Sequence, residues 1–438
     1  MNSLNSIVGF LIYYYRNQKK QLNSNFTQKN FISYIDEQNQ KKYICSNHTL
    51  VKIEHGEISN NEEHYLQLVE KLNLIYSPNR KIWDETITIS NMLLNSVSVN
   101  SVAELKKCLK KIIFLSKKTH NYIFYNEFLN VCYFIISFLL YGNLNGMAFS
   151  NEHVNFCNYL ENKVFGPLQF ICIYYLYLYY SNKNIDRNRY TEYANKILKF
   201  LTDSHIYNNI YKEFYILHCL IQNNVLDAFS YLNNNFISEN KKEKEYSEFI
   251  KNYYLAQMYL SSNTSKTLTY LSKCKDMLCK SPDFFTEKVQ NDVDSKLSIV
   301  YYFHNDYIKS IFYFKKILIN NPTLIKINFL FFAEIMEKEK RYIELKNIIN
   351  ELNVDSFDWG IAKKIFIYYK LKYIKIKISS TNEISFSKMD AQDLEDYILK
   401  NFRGKFQSTS THSKIIRNEI IFLNQFSKTN KKSFIIFS

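Results

Sequence analysis

The chain has 438 residues and a formal net charge of +15 at pH 7, with 37 Tyr and 34 Phe but only 7 Gly and 4 Pro. So few turn formers exclude a fold made of many tight turns, and abundant bulky apolar side chains predict an all-α protein. The length excludes one compact core, because hydrophobic cores stop growing at about 250–300 residues. An α-solenoid of stacked helical hairpins escapes that limit, since each hairpin contacts only its neighbours.

Residues 1–100 read as a mixed, partly irregular region. Ile7 to Tyr15, followed by Arg16, Lys19 and Lys20, has neither a positive n-region nor a small-residue cleavage site, and reads as a packed first helix. His55-Gly56-Glu57, Ser77-Pro78-Asn79 and the β-leaning Thr86-Ile87-Thr88-Ile89 break any helical periodicity. Residues 101–355 read as the helical-repeat solenoid. Val102, Leu105, Cys108, Leu109, Ile112 and Ile113 fall at helical spacing, and Glu104 precedes a lysine-rich polar face. The longest apolar runs, Val131 to Tyr141 and Phe170 to Tyr180, fall short of the roughly 20 residues that span a bilayer, so they read as core helices with no integral membrane span. Ser181 to Arg189 and Glu239 to Glu245 read as inter-helix loops. The eight cysteines are scattered through apolar helical pattern and read as reduced core residues of a cytoplasmic protein, Cys274 and Cys279 among them. Asn, Lys, Ile, Tyr and Phe are abundant as in proteins of AT-rich genomes, so isolated Asn and Lys residues carry little weight.

The most regular pattern starts at Leu297-Ser298, with Tyr301 one turn on, a polar turn at Asn305-Asp306, then Ser310, Phe314 and Pro322. A large residue followed by a small one lets a second helix approach closely, Ser310 is the small contact on that helix, and Phe314 is a bulky knob. Weaker copies begin at Leu255-Ala256 (Tyr259, Asn263, Thr267, Leu271, Pro282) and at Phe332-Ala333 (Met336, Tyr342, Leu345, Ile349), and a degenerate one at Leu217, Ile221, Ala228 and Leu232. This set resembles the tetratricopeptide-repeat superfamily. The resemblance implies at least three stacked antiparallel hairpins between Tyr211 and Leu352, and a protein-binding role. Many tetratricopeptide domains of co-chaperones clamp a peptide carboxylate with Lys and Asn flanking the Leu-small pair. Here those positions hold Ser295 and Ile299, Tyr253 and Gln257, and Leu330 and Glu334, so the clamp is absent.

Residues 356–438 read as a basic C-terminal cap: from Ala362 on, 13 Lys and 2 Arg face 6 acidic residues. Lys370 to Ile378 alternates at strand period, with Leu371, Tyr373, Ile376 and Ile378 on the packing side. Lys363, Lys364, Lys370, Lys372, Lys375 and Lys377 could meet a phosphate backbone, but no RNA-recognition motif accompanies them, so nucleic acid is not favoured. Glu383-Ile384-Ser385-Phe386, the helix-like Asp393 to Asn401 and Phe434-Ile435-Ile436 faintly resemble a terminal winged helix.

The seven glycines allow neither GxGxxG nor GxxxxGK[ST], and there is no GxSxG, HExxH or kinase catalytic set. Cys45, His48, His55 and His64 carry zinc-binding atoms, but their order matches no metal motif and they read as unrelated loop residues. The sequence therefore assigns no catalytic, cofactor-binding or metal-ligating residue, no cofactor and no small-molecule substrate. It points to a non-catalytic scaffold or adaptor subunit of a cytoplasmic multiprotein complex, with trafficking as a suggested setting. Two further readings are a lid-type or initiation-factor-type subunit with a terminal winged helix, and a helical-repeat RNA binder.

Overall fold

The computed structural model describes residues 4–24, 26–99, 101–142, 149–183, 187–206, 209–234, 241–260, 262–282, 284–320, 322–352, 360–379, 384–402 and 411–427. They form two compact units, residues 1–252 with 277–288, and residues 253–276 with 289–438. Both are all-α, built from consecutive helices packed in pairs as in a solenoid.

In the first unit α1 (Leu4–Leu22) packs on α3 (Asn47–Glu54) and α4 (Glu62–Glu70), with α2 (Gln28–Ile32) and the antiparallel hairpin β1 (Ser33–Ile35) and β2 (Lys41–Tyr43) between α1 and α3 in sequence. Ile7, Val8, Leu11 and Ile12 are buried, as expected of a packed first helix. Gly9 is required there: a Cβ would lie 2.1 Å from the Ile53 carbonyl oxygen. The buried Arg16 guanidinium donates to both carboxylate oxygens of Glu54, so neither charge is left unpaired. Then follow α5 (Arg80–Val99), α6 (Val102–Lys118), α7 (Tyr125–Tyr141), α8 (Asn151–Leu160), α9 (Pro167–Lys183), α10 (Arg187–Asp203), α11 (Asn209–Ile221) and α12 (Val225–Asn234). The two longest apolar runs lie in α7 and α9. No helix among the described residues is long and apolar enough to cross a membrane.

Three local expectations fail. Thr86 to Ile89 is not β-leaning irregular chain but the second and third turns of α5. Thr86, Ile89, Ser90, Leu93, Leu94 and Val97 are buried at helical spacing, and tertiary packing outweighs the modest helix propensity of β-branched residues. The Thr86 and Ser90 hydroxyls donate to the carbonyls of Ile82 and Thr86, each at 2.8 Å, which satisfies polar groups that burial would otherwise strand. The expected inter-helix loops are shorter than Ser181 to Arg189 and Glu239 to Glu245: α9 runs to Lys183, α10 starts at Arg187 and α13 (Lys241–Tyr259) at Lys241, the residues between lying outside those described.

In the second unit the end of α13 is followed by most of α14 (Thr264–Lys280), most of α15 (Glu287–Phe303), then α16 (Tyr307–Asn320), α17 (Pro322–Lys338), α18 (Tyr342–Glu351) and α19 (Gly360–Lys375); residues 277–288 belong to the first unit. The hairpin β3 (Lys377–Ile378) and β4 (Ile384–Ser385), α20 (Lys388–Phe402) and α21 (Thr411–Ser427) complete it. The best-patterned hairpin, α15–α16, folds as its spacing predicts. Ser310 and Ser298 are buried, and the Ser310 hydroxyl donates to the Ser298 carbonyl at 2.6 Å. Asp294 lies between Lys275 and Lys316, the latter at 2.7 Å, so α15 is tied to both α14 and α16. Pro322 is the first residue of α17, where its missing N–H costs nothing. Ser310→Trp is expected to overpack this helix contact and lower stability by about 1–3 kcal/mol; an unchanged thermal melt would overturn the close approach of α15 and α16.

The turns after α4, α10, α11, α15 and α17 place Asn73, His205, Asn223, Asn305 and Lys340 at positive φ, the position that glycine usually fills. Each is followed by a residue whose N–H reaches back five residues, at 2.8–3.2 Å, as from Asp306 to Tyr301. Asparagine tolerates the left-handed conformation, so part of the asparagine content does what a chain with 7 Gly needs done.

Lys370 to Lys375 is helical, not a strand. Ile365, Phe366, Tyr368, Tyr369, Lys372, Tyr373 and Ile376 are buried, a 3.6-residue face on which one buried lysine imitates alternation, while Ile374 points to solvent. Only Lys377 and Ile378 are extended, paired with Ser385 and Ile384.

Candidate functional site

A dense run of cationic side chains that the fold does not pair lies on α6. Leu105, Cys108, Ile112 and Leu115 form the buried stripe of α6, and Cys108 Sγ lies 3.9 Å from the Ile89 carbonyl of α5. Of the apolar residues that the sequence places on that face, Leu109 and Val102 are half-buried and Ile113 is exposed. On the outer side Lys107, Lys111, Phe114 and Lys118 recur at i, i+4, i+7 and i+11, one stripe of a 3.6-residue helix. Lys106, Lys110, Ile113 and Lys117 form the adjacent stripe at the same spacing. All six lysines are exposed, and none forms an ion pair among the described residues. Like charges at i, i+4 cost about 0.2–0.5 kcal/mol each, and Glu104, three residues before Lys107, is the single carboxylate on α6 that faces these six lysines.

Phe114 is 58% exposed, with the Lys118 ammonium 4.0 Å from its ring centroid. Such a cation–π contact at the surface is worth about 0.5–1 kcal/mol. Beside it α5 and α6 enclose a groove of about 610 Å³, with Ile89 and Leu115 in its floor, Phe114 in its wall, and Arg80, Lys81 and Lys111 lining it. Asp84, Glu85 and Thr88 also line it. Together α5 and α6 carry eight cationic side chains against three carboxylates. An apolar recess with a charged rim and an exposed aromatic ring can seat apolar side chains of another molecule and bind its anionic groups.

The C-terminal lysines are differently placed. Lys372 is buried between Glu337 and Glu419, with its Nζ 2.8 Å from a carboxylate oxygen of each. Lys375 bonds Asp390 at 3.0 Å and Asp393 at 2.7 Å. Two of the six lysines considered for a phosphate backbone are therefore engaged within the fold, while Lys364 and Lys377 are exposed. Phe434-Ile435-Ile436 lies outside the described residues.

The structure does not gather Cys45, His48, His55 and His64. Cys45 is buried, which pushes its thiol up to about 11, whereas His48 and His55 are exposed. His55 Nδ1 lies 2.7 Å from the Val51 carbonyl of its own helix, and His64 contacts Ser59 and Asn61. No group of three or more His, Cys, Asp or Glu side chains suited to a metal occurs among the described residues. All eight cysteines are free; seven are buried, but Cys279 is exposed and is not the packing residue expected of it, because the fifth residue after Cys274 has turned off the buried face of α14.

Sequence reasoning noticed the lysines of α6 but missed Arg80, Lys81, Phe114 and the groove. Lys-Lys at 106, 110 and 117 around an Ile-Phe pair is visible in the sequence; the partner helix that makes it one wall of a recess is not. Comparison with protein-family models, curated proteins and solved structures gave no match.

Proposed function

We propose that this chain is a non-catalytic scaffold or adaptor subunit of a cytoplasmic multiprotein assembly, and that its helical hairpins, similar to tetratricopeptide repeats, present binding faces to protein partners. The observation that carries the reading is the α5–α6 face: an exposed phenylalanine over an apolar groove, rimmed by lysines that form no ion pair among the described residues. Aromatic anchors beside a recess dominate protein interfaces, and surrounding charge sets on-rate and specificity. Engagement of Lys372 and Lys375 inside the fold removes part of the charge that favoured an RNA binder.

Purification of the native chain under mild cross-linking, followed by size-exclusion chromatography with and without ribonuclease, tests this. An assembly well above 52.5 kDa, with protein in fixed proportion and ribonuclease-resistant, is the expected result. Recovery of the chain alone, or only with RNA, would overturn it.

A further inference from the structure

The groove and lysine stripes also define the chemistry of what they bind. We infer that the α5–α6 face takes an acidic amphipathic segment of a partner protein, whose apolar side chains enter the groove while its carboxylates meet the lysines of α6; this rests on the protein-binding role proposed above.

Three features select that occupant. The floor of the recess, Ile89 and Leu115, is 2% and 1% exposed, so it is reached by a narrow side chain and not by the broad surface of a bilayer. Phe114 and Ile113 are the only large apolar side chains exposed on α6, too little apolar area for insertion into a lipid interface. Asp84 and Glu85 line the groove beside Arg80 and Lys81. A continuous phosphate chain would meet these carboxylates wherever it followed the groove, whereas a peptide has charge only at chosen positions and can place an apolar or amide side chain opposite them. Single-stranded nucleic acid binding also relies on successive aromatic platforms for stacked bases, and Phe114 stands without a second exposed ring on α6.

The geometry of α6 fixes the partner's pattern. Cationic positions recur at i and i+4 with an apolar residue at i+7, so a helical partner matches them with acids at the same spacing and an apolar residue near Phe114. Exposed lysines meeting carboxylates are screened by salt, so binding weakens as the Debye length falls from about 10 Å at 0.1 M to about 3 Å at 1 M ionic strength.

The test uses the full chain and four probes: a synthetic amphipathic peptide of Glu and Leu at helical spacing with one Phe, the same peptide with Gln for Glu, vesicles of phosphatidylserine and phosphatidylcholine, and single-stranded RNA. The acidic peptide is expected to bind at least about tenfold more tightly than its Gln counterpart and to lose affinity with salt. The combined variant Lys107→Glu, Lys111→Glu, Lys118→Glu should bind at least about tenfold more weakly, and Phe114→Ala should weaken binding at high salt as well as low. A second variant, with Gln at the same three lysines, covers misfolding of the charge-reversed chain; both are checked by circular dichroism and thermal melting. Equal binding of both peptides, unchanged binding by the folded variants, or vesicles or RNA binding where the acidic peptide does not, would overturn the inference. If the native assembly forms while the acidic peptide fails to bind, only this inference falls. If the peptide binds but no protein assembly is recovered, the proposed role falls instead.

Discussion

Lys372→Met is expected to destabilise the protein by about 3–5 kcal/mol at neutral pH and by less in acid, because it removes the buried cation that lies between two largely buried carboxylates. Lys372 is 1% exposed in a cluster closed by two phenols: Tyr373 donates to Glu337 at 3.0 Å and Tyr368 to Glu419 at 2.6 Å. Burial pushes the Glu337 carboxyl up to about 7, against the pull of Lys372. Burial alone would lower the Lys372 ammonium, but Glu337 and Glu419 outweigh it and raise it. A carboxyl whose folded pKa exceeds its ordinary 4.5 holds a proton that the unfolded chain releases. Its contribution to stability is complete below about 4.5 and is lost as pH rises through about 7. Without Lys372 the carboxyl rises further, so the deficit of the variant should be greatest above pH 7 and shrink towards pH 5, where the carboxyls take up protons. Adding Glu337→Gln should restore part of the loss at high pH. Denaturant melts across that range decide it: an equal deficit at every pH would refute the charge argument.

Phe314→Ala should cost about 3–5 kcal/mol, while Phe312→Ala, two residues away on the same helix, should stay within about 0.5 kcal/mol. Phe314 is fully buried with its ring centroid 5.4 Å from that of Phe332, whereas Phe312 is 61% exposed. Phe332 in turn approaches Phe329 at 6.5 Å, and Phe329 meets Phe366 at 5.1 Å and Tyr369 at 5.7 Å, so rings connect α16 to α17 and α19. Truncation of Phe314 leaves a cavity at the head of that series. Similar losses for both variants, measured by chemical denaturation, would mean that the buried and exposed faces of α16 are reversed.

The helical hairpins were legible because their physics is local. A large-small pair, a polar turn and a bulky knob at fixed spacing describe one helix meeting the next in sequence, and Ser298, Ser310, Phe314 and Pro322 stand where that spacing puts them. Thr86 to Ile89 and Lys370 to Lys375 were misread because their identity depends on distant partners. The helix at Thr86 is held by burial against other helices, and the lysine at 372 can be buried only because Glu337 and Glu419 come from α17 and α21. Asparagine at Asn73 and Asn223 looked like compositional noise because a positive φ is not written in the residue type, whereas Asn305 was legible as the polar turn of its repeat. The same division holds for the candidate site. The sequence alone determined that α6 is lysine-rich. Only the tertiary structure decided which lysines keep their charge unanswered, because burial and ion pairing are properties of elements far apart in the chain. The groove likewise exists only because α5 packs beside α6 and leaves Phe114 standing at its edge.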